Sequence, residues 1–247
     1  MQNPRVVLAA LIMCCGLIGC ASQPPRPGVA TTATSSDAFT PSNDPASPDW
    51  YPVNIRFKTP TVYSKAVISD VPCILAEANG SWSLHVANVA EPFAKASRLS
   101  WRWHVPALVS GANNGTAGLD DAPVRVVVAF KGDRSKLDAA DRSTMSLAKA
   151  LGGWDLPYAA IQYIWEAKAP VETVIPNANI ARIKKIVVRS GEAGLTQWQS
   201  IERDIKADFR KAFPNEEPGD IESIGLMTDT DSLGGATKAC YADIRLR

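Results

Sequence analysis

Apolar and polar residues alternate along many short stretches of this chain, with the period of a β-strand that buries one face. In LSWRWHV, bulky apolar side chains alternate with Ser100, Arg102 and His104. In PVRVVVAF, both faces are apolar except at Arg125, which is typical of a strand that lies between two layers. Repeated short runs separated by turn residues predict an all-β fold, a jelly-roll-like β-sandwich that forms one domain over residues 50–247.

Turn residues indicate how some of these strands connect. Asn79-Gly80 lies between two apolar runs and predicts a hairpin turn. Residues 221–246 predict two more strands, joined by a polar turn that contains Asp229 and Asp231. We expect these last two strands to form a hairpin that completes the sandwich.

Two stretches have helical spacing instead. Ile201, Ile205, Phe209 and Phe213 recur every four residues, which places one apolar stripe along a helix. Apolar residues within 137–151 are also spaced like one side of a helix. We therefore expect one or two peripheral helices, the second as an insertion at the edge of the sandwich.

The first fifty residues differ in composition from the rest. Arg5 precedes an apolar run, residues 6–18, that is too short to span a bilayer and has the length of a signal-peptide core. Residues 20–49 are rich in Pro, Ser and Thr and contain a single large apolar side chain, so they predict a disordered tether. The expected order is a signal peptide over residues 1–19, then this tether, then the β-sandwich.

The end of the apolar run, Leu-Ile-Gly-Cys, resembles the lipobox of bacterial lipoproteins. The resemblance implies cleavage before Cys20, diacylation of its thiol, and a membrane partner through this lipid anchor. Ala21, in place of Asp, implies sorting to the outer membrane, with the domain facing the periplasm. An ordinary signal peptide with a chance cysteine is the alternative.

The net charge limits the classes of partner that we expect, and the remaining cysteines raise the question of a disulfide. The formal net charge is +1, which gives no concentrated basic field, so no nucleic-acid partner is expected. Of the five cysteines, Cys73 and Cys240 follow the tether. An oxidising envelope compartment would permit a disulfide between them, and two buried free thiols are the alternative.

Several motifs of the chain resemble a bacterial family known as domain of unknown function 3047. They are LSWRWHV, DDAPVRVVVAF, YIW, RDIKADFRKAF, MTDTDSLGG and YADI. His104 and Ser232 depart from that family's usual Lys and Asn. The closing YADIRL also resembles the last strand of galactose-binding-like jelly-roll modules, which implies a carbohydrate as the ligand.

The polar residues that project from apolar strands are candidates for a ligand-binding site. A sheet face that mixes aromatic rings with fixed hydrogen-bonding groups suits a sugar or another polar ligand. Half-exposed strand positions with cross-strand ion pairs are the plain alternative. The ligand-binding candidates are Arg102, His104, Asp121, Arg125, Tyr163 and Trp165.

Asp229 and Asp231 are candidates for metal binding, since carboxylates two residues apart on extended backbone point the same way. Ca²⁺ is the only cofactor they suggest, and turn formation by aspartate explains them as well. The chain has no GxSxG, HExxH or CxxC motif. A hydrolase or lyase would have to use paired carboxylates, for which the available residues are Asp120, Asp121, Glu166, Asp229, Asp231 and Asp243.

These patterns predict an envelope lipoprotein with a non-catalytic binding role, with a glycan or another polar ligand as its partner. One alternative is a polysaccharide-acting hydrolase or lyase with paired aspartates and no assigned catalytic residue. Another is a structural lipoprotein that binds a second envelope protein.

Overall fold

The computed structural model describes residues 37–247, and these form the expected jelly-roll-like β-sandwich. In chain order the strands are β1 Tyr51–Asn54, β2 Val62–Ile68, β3 Val71–Asn79, β4 Ser83–Asn88, β5 Arg98–His104, β6 Ala122–Phe130, β7 Ala159–Glu166, β8 Val174–Pro176, β9 Ile183–Ser190, β10 Trp198–Asp204, β11 Ile221–Asp229 and β12 Ala236–Leu246. The helices are α1 Ala139–Leu147, which continues as a π-helical turn over Ala148–Gly152, and α2 Ile205–Ala212.

Two sheets share these strands. The large sheet has seven strands in the order β1-β4-β11-β6-β7-β9-β8, and the small sheet has five in the order β10-β5-β12-β3-β2. Neighbouring strands are antiparallel except β7 and β9, which are parallel. The main core lies between the sheets, where β5 contributes Trp101 and Trp103 and β7 contributes Tyr163 and Trp165.

The two predicted hairpins are wrong, although their strands are present. β3 and β12 belong to the small sheet, whereas β4 and β11 belong to the large sheet. Gly80, with a φ of 55°, therefore turns the chain from one sheet to the other. A period-two pattern shows which side of a strand is buried, but both sheets bury a face in the same core, so the pattern does not assign a strand to a sheet.

The expected helical insertion is present and packs on the outer face of the large sheet. Leu137, Met145 and Leu156 form a second apolar cluster with residues of β4, β6 and β9. α2 begins later than the apolar stripe suggests, because residues 198–204 are the edge strand β10. Asp204 caps α2 by accepting a hydrogen bond from the backbone N–H of Ala207.

The end of the predicted tether lies on the domain. Phe39 exchanges backbone hydrogen bonds with Leu246, and the indole of Trp50 donates to the carbonyl of Ser42. Residues 37–49 are therefore held against the sandwich, because backbone hydrogen bonds and the burial of Ala38 and Pro41 both fix this segment. The predicted signal peptide, Cys20 and the remainder of the tether lie outside the described residues.

A disulfide joins Cys73 of β3 to Cys240 of β12, with 5.7 Å between the two Cα atoms. The bridge lies on the outer side of the small sheet, beside Ala242 and Trp198. It closes a separation of 167 residues, which corresponds to roughly 4 to 5 kcal/mol in the chain-entropy account of disulfide stabilisation. Within residues 37–247, no helix has the length and apolar character needed to cross a membrane.

Candidate functional site

The structure separates the predicted ligand-binding residues onto different surfaces. Arg102 and His104 project from the outer face of the small sheet. The guanidinium of Arg102 pairs with Asp243 and lies 5.4 Å from the ring of Trp198, and His104 contacts the same ring. These contacts are cross-strand contacts of the outer sheet face, on the opposite side of the sandwich from Arg125.

Tyr163 and Trp165 lie in the core between the sheets and are closed to solvent. The hydroxyl of Tyr163 donates to Asp208, and the indole of Trp165 donates to the carbonyl of Gly191. The ligand-binding hypothesis placed Arg102, His104 and Arg125 on one sheet face near Tyr163 and Trp165, and the structure shows that this placement is wrong. β5 and β6 lie in opposite sheets, so side chains that point away from the core on each strand emerge on opposite sides of the molecule.

Arg125 lies on the outer face of the large sheet, where a groove crosses β4, β11, β6, β7 and β9. The groove has two connected parts of 260 Å³ and 340 Å³, both lined by Trp154 and Gln162. Trp154 lies in the loop that follows α1 and its π-helical turn, packs against the apolar cluster on the large sheet, and lines both parts. The combined volume is in the range of sites that hold small ligands.

Aromatic side chains contribute much of the groove wall. Trp82 and Trp154 are partly exposed and meet edge to face with 6.1 Å between their ring centroids. Tyr51 lines the other part of the groove and is also exposed. Strand β4 and the turn before it fix Trp82, whose backbone N–H donates to the carbonyl of Thr59.

Below these rings, the groove floor is polar and held by a network of ion pairs. Arg125 is buried and donates to Asp229, Asp120 and the side-chain oxygen of Gln162. Lys185, which is also buried, donates to Asp120 and to the carbonyl of Asn114. Four of these groups sit on the successive strands β11, β6, β7 and β9, and Asp120 and Asn114 join them from the loop before β6, so the network presents fixed polar groups at the floor.

Burial dominates the electrostatics of this network. It raises the pKa of the Asp229 carboxyl from 3.8 to about 6, although Arg125 acts in the opposite direction. Burial lowers the pKa of Arg125, but the carboxylates of Asp229 and Asp120 more than reverse this effect, so the net shift is upward. Burial also lowers the pKa of Lys185. At neutral pH the pair of Arg125 and Asp229 is therefore ionised.

Asp121 and the two predicted metal ligands, Asp229 and Asp231, lie at one end of the groove. One oxygen from each of the three carboxylates lies within 4.8 Å of the others. Each carboxylate already has a donor: the backbone N–H groups of Ser232 and Leu233 for Asp121, Arg125 for Asp229, and Lys58 for Asp231. A Ca²⁺ ion held by these oxygens would compete with the two cations.

The paired carboxylates that hydrolysis requires are only partly brought together. Asp120, Asp121, Asp229 and Asp231 lie around the same end of the groove. Asp243 pairs with Arg102 on the opposite side of the sandwich, and Glu166 accepts hydrogen bonds from the backbone of Lys168 and Ala169. Both oxygens of Asp229 accept hydrogen bonds from Arg125.

The groove residues that the sequence does not single out are mainly Trp82, Trp154 and Gln162. Trp82 follows the Asn79-Gly80 turn, and Trp154 follows Gly152-Gly153, so each is a tryptophan just after a glycine turn. Exposed aromatic rings at turns are a general signal for binding surfaces. Gln162 lies between apolar residues of β7, as Arg125 does in β6, and this is the signal that could have identified it.

Solved structures with similar folds are distant. They include a family 11 carbohydrate-binding module of the cellulosomal cellulase Lic26A-Cel5E of Clostridium thermocellum, at 9% identity and a TM-score of 0.39, covering 85% of this chain and 93% of that chain. They also include the xyloglucanase domain of NopAA, a type three effector from Sinorhizobium fredii, in complex with cellobiose, at 10% identity and a TM-score of 0.43, covering 87% and 99%. A third is the mannan-recognising module TmCBM27, at 11% identity and a TM-score of 0.33, covering 85% and 98%.

Identities and TM-scores this low carry no argument about what the groove binds. Among curated proteins, none matches the chain significantly. The sequence pattern described as "Protein of unknown function (DUF3047)" matches residues 48–245, which include every strand of the sandwich apart from the last residue of β12. The chain therefore belongs to the DUF3047 family.

Proposed function

We propose that this protein is a non-catalytic module that binds a glycan chain in the groove of the large sheet. The observation that carries the proposal is an open groove on rigid strands, with partly exposed Trp82 and Trp154 beside a polar floor. Sugar rings offer C–H faces that stack on aromatic side chains and hydroxyls that bond to fixed amides and carboxylates. Both kinds of group are present here within one groove.

The proposal includes attachment to the bacterial outer membrane through a lipid on Cys20, with the domain in the periplasm. The apolar run before Cys20 supports this location, as does the Cys73–Cys240 disulfide, since such bridges persist in oxidising compartments. Mass spectrometry of the mature N-terminal peptide tests it. A diacylated Cys20 is the expected result, and an unmodified Cys20 would contradict the anchor.

Glycan binding is tested by calorimetric titration of the purified domain with soluble neutral and charged oligosaccharides. We expect Trp82→Ala and Trp154→Ala each to weaken binding by about fivefold, because each removes about 1 kcal/mol of ring stacking. Trp198→Ala is the matched control, since Trp198 is also partly exposed but lies on the small sheet. It should leave the affinity unchanged.

Two other results would replace the proposal. If the protein degrades a polysaccharide and Asp229→Asn or Asp231→Asn abolishes this activity, the protein is a hydrolase or lyase that uses the carboxylates of the groove. Absence of binding to every glycan, with capture of a second envelope protein through the same two tryptophans, would make it a structural lipoprotein. Unchanged glycan affinity in both tryptophan variants would show that the groove is not the binding site.

A further inference from the structure

The charged residues that line the groove are mostly acidic. The cations of the lining are Lys58 and Arg125. The carboxylates of the lining are Asp120, Asp155, Asp229, Asp231 and Glu222. Lys185, which is buried in the groove floor, also pairs with Asp120, so the carboxylates without a cation inside the groove are those of Asp155 and Glu222.

Arg125 is not available to an anionic ligand. Its Nε donates to Asp229, its Nη1 to Gln162, and its Nη2 to both Asp120 and Asp229. Its side chain is only 2% exposed. A ligand carboxylate or phosphate could bind this guanidinium only by displacing a buried partner, which would leave that partner's charge uncompensated.

Lys58 is likewise engaged. Its ammonium group donates to Asp231 at 2.6 Å and lies 6.0 Å from the ring of Trp82. By contrast, the side chain of Glu222 has no ion pair or hydrogen bond with any other residue of the 37–247 segment. Asp155 is exposed and is paired by Arg134 and Lys149, which lie outside the groove lining. The groove thus holds a free carboxylate and no free cation.

We infer that the groove selects by charge: it takes glycans that are uncharged or carry amino groups, and it rejects glycans that carry carboxylate or phosphate groups. The inference rests on the proposed glycan-binding function. An anionic sugar in the groove meets like charges and finds no unengaged donor of positive charge, so its binding is opposed. An amino sugar meets carboxylates, and a neutral sugar needs only the rings and the polar floor.

The test compares three sets of oligosaccharides that share one β-1,4-linked backbone and are neutral, anionic or cationic. Polymers of other linkages in the same three charge classes are tested beside them. The soluble probes are cello-oligosaccharides, their C6-oxidised uronate forms, and chitosan oligosaccharides. We expect the uronate forms to bind at least about tenfold more weakly than their neutral parents. Added salt should weaken binding of the chitosan oligosaccharides and leave binding of the neutral ones unchanged.

Two variants each remove one charge of the Lys58–Asp231 pair and leave both tryptophans in place, although Lys58→Met also removes the ammonium that lies 6.0 Å from the ring of Trp82. Asp231→Asn frees the ammonium of Lys58, so we expect binding of the uronate forms to rise about tenfold. Lys58→Met frees the carboxylate of Asp231, so we expect binding of the chitosan oligosaccharides to rise by a similar factor. Thermal melting of both variants checks that they remain folded, since both residues lie at the rim of the groove.

The outcomes separate this inference from the function on which it rests. Preference for an anionic glycan, lost in Trp82→Ala, would overturn the charge selection and leave glycan binding intact. Equal binding of uronate and neutral forms that neither rim variant changes would overturn it as well. Failure of every glycan of all three classes to bind would instead overturn the proposed function.

Discussion

At the scale of single residues, Phe57 combines a positive φ with a large exposed apolar side chain. It lies in a turn that the hydrogen bond from Lys58 N–H to the carbonyl of Ile55 closes, its φ is 64°, and it is 94% exposed. A β-carbon at such a φ costs about 1 to 2 kcal/mol, and the exposed ring gains little burial in return. Folding therefore does not explain why a phenylalanine stands where a glycine would fit.

We predict that Phe57→Gly raises the free energy of unfolding by up to about 1 kcal/mol, because glycine accepts a positive φ without strain. Urea denaturation followed by tryptophan fluorescence measures the change. Phe57→Ala is the control: it removes the ring but keeps the strain, so its stability should match that of the original chain. A less stable Phe57→Gly variant would show that the ring has a packing role in solution.

The alternation of apolar and polar residues predicted which side of most strands is buried, but it did not predict the groove. The contacts between strands in the structure explain why. Alternation in β5 correctly turns Trp101 and Trp103 inward and Arg102 and His104 outward. It carries no information on which residues meet across strands, because partners such as Arg125 and Asp229 are 104 residues apart. The sequence singled out both the acidic pair of the closing turn and Arg125, but it did not predict that Arg125 is buried and paired with Asp229.

At the scale of elements, connections between sheets and the packing of insertions were the features that local patterns missed. The stretch 221–246 has the alternation and turn of a hairpin, yet β11 and β12 complete different sheets. The helical insertion was predicted, but only the structure shows that it packs over the large sheet through Leu137 and Met145 and that the loop after it lines the groove with Trp154. Both features depend on contacts that are distant in sequence.

One ion-pair network joins three elements that the sequence did not connect. Arg203 of β10 pairs with Asp208 of α2 and with Glu172 in the loop between β7 and β8. Lys211 of α2 also pairs with Glu172. The hydrogen bonds from Arg203 lower the pKa of Glu172 from 4.5 to about 2. The carboxylate of Glu172 therefore stabilises the fold only where it is ionised.

We predict that Glu172→Gln lowers the free energy of unfolding by roughly 1 kcal/mol above pH 5, a value reduced for the partial exposure of the pair. Because the folded pKa is depressed, this contribution is present above the ordinary value of 4.5 and is lost as the pH falls towards about 2. Urea denaturation across this pH range should therefore show the two curves converging in acid. Glu192→Gln, in an exposed turn, is the control and should track the original chain at every pH.

At the scale of the whole molecule, the domain extends beyond the segment that the family pattern matches. The match begins at residue 48, whereas residues 38–47 already lie on the sandwich. Phe39 exchanges backbone hydrogen bonds with Leu246. The carbonyl of Ser42 accepts a hydrogen bond from Trp50, and the carbonyl of Pro45 accepts one from His85. His85 is held between the rings of Trp50 and Tyr63, so this segment completes a buried aromatic stack.

We predict that removal of residues 1–47 lowers the free energy of unfolding by about 2 kcal/mol, whereas removal of residues 1–36 leaves it unchanged. The longer deletion removes the hydrogen-bond acceptors of Trp50 and His85 and the strand-like pair at Leu246, and each lost bond is worth about 0.5 to 1.5 kcal/mol. Equilibrium urea denaturation of the two shortened chains measures the difference. Equal stability of both would show that residues 37–47 belong to the tether in solution. The groove lies on the other face of β4 from His85, so glycan affinity should be the same in both chains, which separates a loss of stability from a loss of the site.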